Sequence, residues 1–295
     1  MALQWPLIIF TLCLCLAGGT LAGAGILSLL GKGTKVQKPA LILSVAALVV
    51  GGIGSFMHLQ HWERIFNGFG HITSGITQEL VAIVLFAIVL IIYFVMLRKS
   101  EDGAAPKWCA ILAILAGVVM VFVTAHSYNM AARIAWNSIL LEIYYLGNAA
   151  LLGGMAILAL AGLCDADALK PASKIALYGS IFGLLATLLY AVVFAGAPAQ
   201  FAQYVNVYDF AHPTIPYTDV AGLLALGGGT MMKYYWLGAV IVGAVVPVVI
   251  AAIAGKLNAK TAGVAALCGL IAGIIGGICF RALLYVVGFS VFAIY

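Results

Sequence analysis

Charged residues are scarce in this sequence. Aspartate, glutamate, lysine and arginine together make up 8% of the 295 residues, whereas hydrophobic residues make up 65%. Soluble domains contain about 25% charged residues, so the composition excludes a soluble globular domain as the main structure. Apolar stretches recur along the whole length, and about 20 such residues are enough to cross the hydrocarbon core of a membrane. The chain is therefore predicted to be an integral membrane protein.

The sequence also lacks the cysteine spacings that are typical of metal sites. Its six cysteines occur singly, or as the pair Cys13 and Cys15, within apolar segments, and no C-x-x-C motif is present. Ligation of zinc or of an iron–sulfur cluster by this chain is therefore not expected. The cysteines are interpreted as small packing residues.

Hydropathy predicts an all-α bundle of about eight transmembrane helices, which forms a single membrane domain over residues 1–295. The predicted helices are Leu7–Leu30, Ala40–His58, Ile76–Leu97, Trp108–Ala125, Ile139–Leu163, Ile175–Phe194, Trp236–Ala254 and Thr261–Arg281. A largely apolar segment of 13 residues, Leu283–Tyr295, follows the last helix. They either extend this helix outward or lie along the membrane interface.

Basic residues indicate on which side of the membrane each loop lies. With eight spans, ten of the 14 lysines and arginines fall on one side and four on the other. The ten are Lys32, Lys35, Lys38, Arg98, Lys99, Lys107, Lys170, Lys174, Lys256 and Lys260, and the four are Arg64, Arg133, Lys233 and Arg281. The positive-inside rule places the lysine-rich side in the cytoplasm and both termini outside. The net charge of +5 arises mostly in these short loops and does not indicate binding to nucleic acid.

The longest segment outside the predicted spans, residues 195–233, lies on the predicted outer side. It contains three prolines, five aromatic residues and few charges. Long loops in compact proteins are usually functional. We therefore predict an ordered cap, in which the short apolar piece Val220–Leu226 reaches the membrane interface.

Ionisable residues near the membrane boundary gather on the predicted outer side. They are His58, His61, Arg64, His71, Glu79, His126, Arg133, Glu142 and Arg281, and they include four of the five histidines. Such residues are energetically expensive within or at the rim of a membrane, which makes them functional candidates. The histidines lie at helix ends or in loops rather than at matched depth on facing helices. Haem ligation is therefore not expected.

Glu79 is the strongest candidate because it lies about one turn inside the third helix. A carboxyl group at that depth needs a hydrogen-bonding partner or a bound proton. His58 ends the preceding antiparallel helix, so both side chains can line one cavity. Imidazole titrates near neutrality, and beside a carboxylate it is suited to accept protons from a bound hydroxyl group. Glu142 is expected to pair with Arg133 or Arg281 within the bundle.

The order of these residues resembles the membrane anchor subunits of the dimethyl sulfoxide reductase type, the DmsC family, which is related more distantly to polysulfide reductase anchors. The resemblance rests on Trp5–Thr11 with Ala17–Gly19, on Met57–Leu59, Arg64, Phe66, Asn67 and Glu79, on Tyr128 and Asn129, and on Arg281 with Leu284 and Tyr285. It extends over essentially the whole chain, although the middle of the chain and the long outer loop match only in hydropathy. One departure is His126, since the family has an arginine just before the Tyr-Asn pair.

The resemblance implies an eight-helix anchor without haem in the cytoplasmic (inner) membrane of a prokaryote. It implies two partners at the outer face, a ferredoxin-like iron–sulfur subunit and a molybdopterin catalytic subunit. The anchor would oxidise menaquinol, or another quinol, in anaerobic respiration and pass the electrons to the iron–sulfur subunit.

The predicted site residues follow from this assignment. His58 and Glu79 are the predicted catalytic residues. Quinol binding is assigned to His58, Arg64, Asn67, Glu79, Tyr128 and Asn129, and docking of the partner to Arg64, Arg133 and Arg281. No residue is assigned to a metal.

Two other functions stay open. The anchor could run in reverse and reduce quinone for an outer-face dehydrogenase or oxidase. In a different class, the chain could be a proton-coupled secondary transporter. Such transporters usually place polar groups near the membrane midplane and contain internal repeats, neither of which is evident in this sequence. Glycine pairs such as Gly18 and Gly19 are interpreted instead as sites of close helix packing.

Overall fold

The computed structural model describes residues 4–59, 61, 67, 70–205, 220–225, 228–229 and 231–288, with the backbone alone for 202–205 and 220–221. The described residues form helices and no β-strand. The helices are α1 (Trp5–Leu29), α2 (Thr34–His58), α3 (Gly75–Lys99), α4 (Lys107–Tyr128), α5 (Leu140–Cys164), α6 (Leu169–Val205), the short α7 (Val220–Leu224), α8 (Val246–Ala254) and α9 (Ala259–Val286). A π-helical segment, Tyr234–Val245, leads directly into α8.

Eight helices of the described chain are long and apolar enough to cross a membrane, which confirms the predicted all-α architecture. The π-helical segment and α8 together make the seventh of these spans. The outward faces of the peripheral helices carry large apolar side chains, such as Ile42 and Ile53 of α2 and Ile91 of α3. Helices that are apolar on all sides are typical of a membrane environment.

Several helices extend beyond their predicted ends. α2 begins at Thr34 rather than Ala40 and contains Pro39, and α6 continues to Val205 rather than ending at Phe194. Hydropathy detects the hydrocarbon core, whereas backbone hydrogen bonding continues a helix into the polar interface. α9 likewise continues past Arg281 to Val286, so the first residues after the predicted end extend the helix. Residues 289–295 lie outside the described residues.

The predicted cap over residues 195–233 is described only in part. Residues 195–205 continue α6, and Val220–Leu224 forms the short helix α7. Residues 206–219 of the predicted cap lie outside the described residues, together with 226–227 and 230. The cap therefore stays a prediction, apart from its first part, which is helix rather than loop.

α5 lies at the centre of the bundle, and it packs against α1, α4, α6 and α9. α1 in turn contacts α2 and α4, while α3 packs mainly on α4. The helices approach closely where glycines face each other. A Cβ atom added to Gly153 of α5 would lie 2.1 Å from the carbonyl carbon of Gly19 of α1. This contact supports the interpretation of the glycine pairs as packing sites.

Polar contacts join the loops at each end of the bundle. At the lysine-rich end, the Ser28 hydroxyl donates to the carbonyl of Ala105 (2.8 Å), and the Lys35 backbone N–H donates to Asp165 Oδ2 (3.3 Å). At the opposite end, the Trp136 indole donates to the carbonyl of Leu284 (2.7 Å). Loops that the sequence assigns to the same side of the membrane thus lie at the same end of the bundle. Which end faces the cytoplasm stays a prediction.

Candidate functional site

Glu79 is a buried carboxyl residue at the end of the bundle that is predicted to face outward. It lies in the second turn of α3 and is 8% exposed. The start of α3 packs tightly on the end of α4: a Cβ atom added to Gly75 would lie only 3.1 Å from the Cα of Ser127. This packing brings the Glu79 carboxyl group to the hydroxyl groups of Ser127 and Thr124 on α4.

Buried polar atoms without hydrogen-bond partners surround this carboxyl group. Among the described residues, no hydrogen-bond partner is found for Glu79 Oε1, Thr124 Oγ1, Tyr145 Oη or Tyr285 Oη. The Ser127 hydroxyl donates to the carbonyl of Thr124 (2.8 Å), so its proton is already engaged. More than 90% of buried polar groups in proteins have partners. These four atoms are therefore available to donate or accept hydrogen bonds with a polar ligand.

An aromatic cluster encloses these atoms. The ring of Tyr128, which ends α4, lies 5.6 Å from the ring of Trp136, 6.5 Å from Tyr145 and 6.1 Å from Tyr285, measured between centroids. Glu79 lies within electrostatic range of the same three tyrosines. We name Glu79, Thr124, Tyr128, Tyr145 and Tyr285 the Glu79 cluster. It combines apolar ring faces with phenolic and carboxyl oxygens, as a site for an aromatic alcohol requires.

Arg281 lies next to this cluster inside the bundle. It is fully buried, and its guanidinium donates to Thr11 Oγ1 (2.8 Å), Asn148 Oδ1 (3.0 Å) and Cys15 Sγ (3.2 Å). The guanidinium carbon lies 4.6 Å from the centroid of the Tyr145 ring, a cation–π distance. This position does not agree with the predicted docking role of Arg281, because a buried side chain offers no surface to a partner. Arg281 instead ties α9 to α1 and α5.

Glu142 forms a second buried carboxyl site in the first turn of α5. It is 1% exposed, and its Oε1 lies 3.0 Å from His126 Nδ1 and accepts a hydrogen bond from Asn129 Nδ2 (3.0 Å). The expected pairing with Arg133 or Arg281 is therefore wrong about the partner. Both of those arginines are committed to other groups.

His58 and Glu79 form no hydrogen bond or ion pair with each other in the described part of the chain. His58 ends α2 with an exposed side chain, whereas Glu79 is buried. α2 and α3 pack only weakly on each other. Asn67 is exposed, and Arg64 lies outside the described residues.

Arg133 holds the loop between α4 and α5 against the end of α9. Its guanidinium donates to the carbonyl of Gly288 and lies 4.5 Å from the centroid of the Trp136 ring. Partial burial lowers the pKa of the Arg133 guanidinium. Gly288 is required at this position, because a Cβ atom there would lie 2.3 Å from the Trp136 ring. The described contacts of Arg133 are therefore structural, and its docking role stays a prediction.

Thr124, Ser127 and Tyr145 were not predicted as site residues from the sequence. The sequence contained a signal for the first two. Thr124, Ser127 and Tyr128 are spaced i, i+3 and i+4 within an apolar helix, which places them on one face. Tyr145 carried no comparable signal, since tyrosines are common near membrane interfaces. Tyr128 lies in the Glu79 cluster, whereas Asn129 turns to Glu142.

Clusters of side chains that could bind a metal ion are not found in the described part of the chain. No set of three or more histidine, cysteine, aspartate or glutamate side chains is placed to hold a metal ion among these residues. All six cysteines are free thiols.

Comparison with protein-family models assigns most of the chain to a known family. Residues 1–207 match the family described as DMSO reductase anchor subunit (DmsC). No individual curated protein matched the chain in the corresponding comparison. The family match includes His58, Glu79, Tyr128 and Glu142, but it ends before α8 and α9. The expected resemblance around Arg281 is therefore not covered by it.

The match confirms the resemblance inferred from the order of the site residues. It spans 207 of the 295 residues, which include the first six transmembrane helices and both buried carboxyl groups. The protein is therefore a multi-pass membrane protein that belongs to the DMSO reductase anchor subunit (DmsC) family.

Proposed function

We propose that this protein is the quinol-oxidising membrane anchor of a multi-subunit molybdopterin oxidoreductase of the DMSO reductase type. The observation that carries the proposal is the buried Glu79 carboxyl group, which has one oxygen without a hydrogen-bond partner among the described residues and faces the hydroxyl group of Thr124. Three tyrosines lie within electrostatic range of it. Membership of the anchor family supports it independently. The same end of the bundle carries His58, the other predicted catalytic residue.

The chemistry of a quinol matches the Glu79 cluster. A quinol head group is an aromatic ring with two hydroxyl groups, each of which both donates and accepts hydrogen bonds. The rings of Tyr128 and Tyr285 offer apolar contacts to the quinol ring. The free oxygens of Glu79 and Tyr285 offer partners for the hydroxyl groups. Asn67, Arg64 and Asn129 complete the proposed binding set toward the rim of the membrane.

Oxidation of a quinol to a quinone releases two protons and two electrons. Glu79 accepts one proton through its free carboxyl oxygen, and His58 accepts the other and releases it at the exposed end of α2. An iron–sulfur cluster in the partner subunit would take up the electrons, and the molybdopterin of the catalytic subunit would supply the chemistry of the terminal reduction. This chain supplies the proton-accepting groups and the binding site.

The partners dock on the predicted outer face of a prokaryotic cytoplasmic membrane. Arg64 and Arg133 belong to the loops at that face, and we assign them to contact with the iron–sulfur subunit. The quinol is menaquinol or a related quinol of anaerobic respiration. Its apolar tail extends from the head-group site into the lipid.

The proposal is tested in the intact complex by replacing Glu79→Gln and His58→Leu. Turnover with a quinol analogue as donor should fall by at least about tenfold in each variant, because each variant loses a proton acceptor. General base catalysis typically contributes about 10²–10⁴-fold to the rate. Turnover with an artificial donor that reduces the metal-containing subunits directly should be unchanged. The measurement is the ratio of the two activities.

Two matched variants control for nonspecific damage. His71→Leu removes an exposed histidine at the same end, and Glu101→Gln removes an exposed carboxylate at the opposite end. Both should retain the wild-type ratio. Full quinol-dependent turnover in Glu79→Gln and His58→Leu would contradict the assignment of these residues. Net reduction of quinone under all donor conditions would contradict the proposed direction of electron flow.

A further inference from the structure

A large apolar cavity lies on the side of the bundle that the proposed function does not use. Its volume is about 890 Å³, and it lies between α1, α4, α5 and α6. Small residues form much of its wall, among them Gly18, Ala22, Gly117 and Ala150. Pockets of about 300–1,000 Å³ are typical of small-molecule sites. The cavity is therefore large enough for a bound ligand.

Three lysines lie at one end of this cavity. Lys32 follows α1, while Lys170 and Lys174 lie one turn apart near the start of α6. All three are exposed, and they form no ion pair within the described residues. The acids of the preceding loop, Asp165 and Asp167, are not among the lining residues. Like charges four residues apart on a helix repel each other, so an anion at this position is favourable.

The depth of the cavity matches one leaflet of a bilayer. Its α1 wall extends from Leu30, beside the lysines, to Gly18. At 1.5 Å per residue, this stretch covers about 18 Å along the helix. The hydrocarbon core is about 30 Å thick, so one leaflet accounts for roughly 15 Å. The cavity thus begins at the charged boundary of the membrane and ends near its midplane.

From this combination we infer that the cavity binds one anionic phospholipid of the lysine-rich leaflet. The negative headgroup lies against Lys32, Lys170 and Lys174, and an acyl chain fills the channel lined by small residues. A quinone is a less suitable occupant because its neutral head group gains nothing from three ammonium groups. Basic pockets between transmembrane helices on the cytoplasmic side are known to recognise acidic lipid headgroups.

The test measures spin-labelled phospholipids bound to the intact complex in nanodiscs. The electron paramagnetic resonance spectrum separates lipids immobilised by the protein from mobile ones, for phosphatidylglycerol and phosphatidylcholine in turn. The wild type should immobilise phosphatidylglycerol preferentially. In a Lys170→Gln, Lys174→Gln double variant this preference should fall by about 25-fold, or about fivefold for each lysine. High salt should reduce it as well.

Matched variants separate the cavity from the general charge of this surface. Lys256→Gln with Lys260→Gln also removes two lysines four residues apart at the same end, but neither lines the cavity. This control should retain the preference. Ala22→Phe fills the cavity and should reduce immobilisation of both lipids, whereas Ala46→Phe on the exposed face of α2 should not.

Each outcome of these measurements either supports or overturns the proposed lipid site. Loss of the preference in the Lys170 and Lys174 variant, with retention in the Lys256 and Lys260 control, supports the site. Equal immobilisation of the two lipids by the wild type overturns it. So does an equal loss in both double variants, which would show a nonspecific surface charge. Displacement of the labelled lipid by a stoichiometric quinone analogue would assign the cavity to a quinone tail instead.

Discussion

The glycine contact between α1 and α5 makes a sharp prediction about stability. A Cβ atom on Gly19 would lie 1.9 Å from the carbonyl oxygen of Ala149, whereas real Cβ atoms essentially never approach closer than 3.0 Å. The oxygen belongs to the backbone, so no side-chain rotation relieves the overlap. Gly19→Ala therefore forces α1 and α5 apart by about 1 Å.

The expected magnitude follows from what these two helices hold. Overpacking a close helix contact costs about 1–3 kcal/mol. α1 supplies Thr11 and α5 supplies Asn148, which accept hydrogen bonds from Arg281 at 2.8 and 3.0 Å. A separation of this size breaks at least one of them, and a hydrogen bond to a charged group contributes about 1.5–3 kcal/mol. We expect Gly19→Ala to destabilise the protein by about 3–5 kcal/mol.

The assay is reversible unfolding of the full chain in mixed micelles, followed by far-ultraviolet circular dichroism. Gly52→Ala in α2 is the matched control, because a Cβ atom added there has no neighbour within 4 Å. Alanine is favoured over glycine in helices by about 1 kcal/mol, so this control should be neutral or slightly stabilised. If Gly19→Ala were as stable as Gly52→Ala, the close contact would be refuted.

Two further predictions concern the buried charged residues. Arg281→Met should lower the free energy of unfolding by about 2–4 kcal/mol, because it leaves buried acceptors without donors. The same unfolding experiment measures this loss. An unfolding midpoint equal to that of the wild type would show that Arg281 is not held inside the bundle. Glu142→Leu should cost about 1–3 kcal/mol, because His126 and Asn129 lose their shared acceptor. Glu142→Gln, which keeps an acceptor oxygen, should cost less in thermal unfolding of the complex, and equal losses in the two variants would contradict the hydrogen-bonding role.

The fold was largely predictable because its determinant is local. A continuous apolar run must form a helix in lipid, where each backbone polar group needs a partner within the same segment. The number of spans and their order followed from this requirement. The predicted ends were less accurate, as α2 and α6 show, because helices continue into the interface where hydropathy no longer marks them.

The candidate site was predictable only in part. The depth of Glu79 in its helix was a sequence property, but its burial depends on the packing of α3 against α4. The partner of Glu142 was not predictable from the sequence, because the packing of α4 against α5 decides that Glu142 contacts His126 rather than one of the two arginines. The burial of Arg281 likewise needed the positions of Thr11 and Asn148, which are far apart along the chain.

The sequence by itself determined the eight spans, the sorting of lysines to one end and the family, because these depend on composition and on local order. Only the tertiary structure decided which polar side chains share an interior. It left the His58 side chain exposed, placed the buried Glu79 near tyrosines of α4, α5 and α9, and withdrew Arg281 from the surface. Lateral packing of apolar helices depends on glycine contacts and buried hydrogen bonds between distant residues, and hydropathy does not encode these.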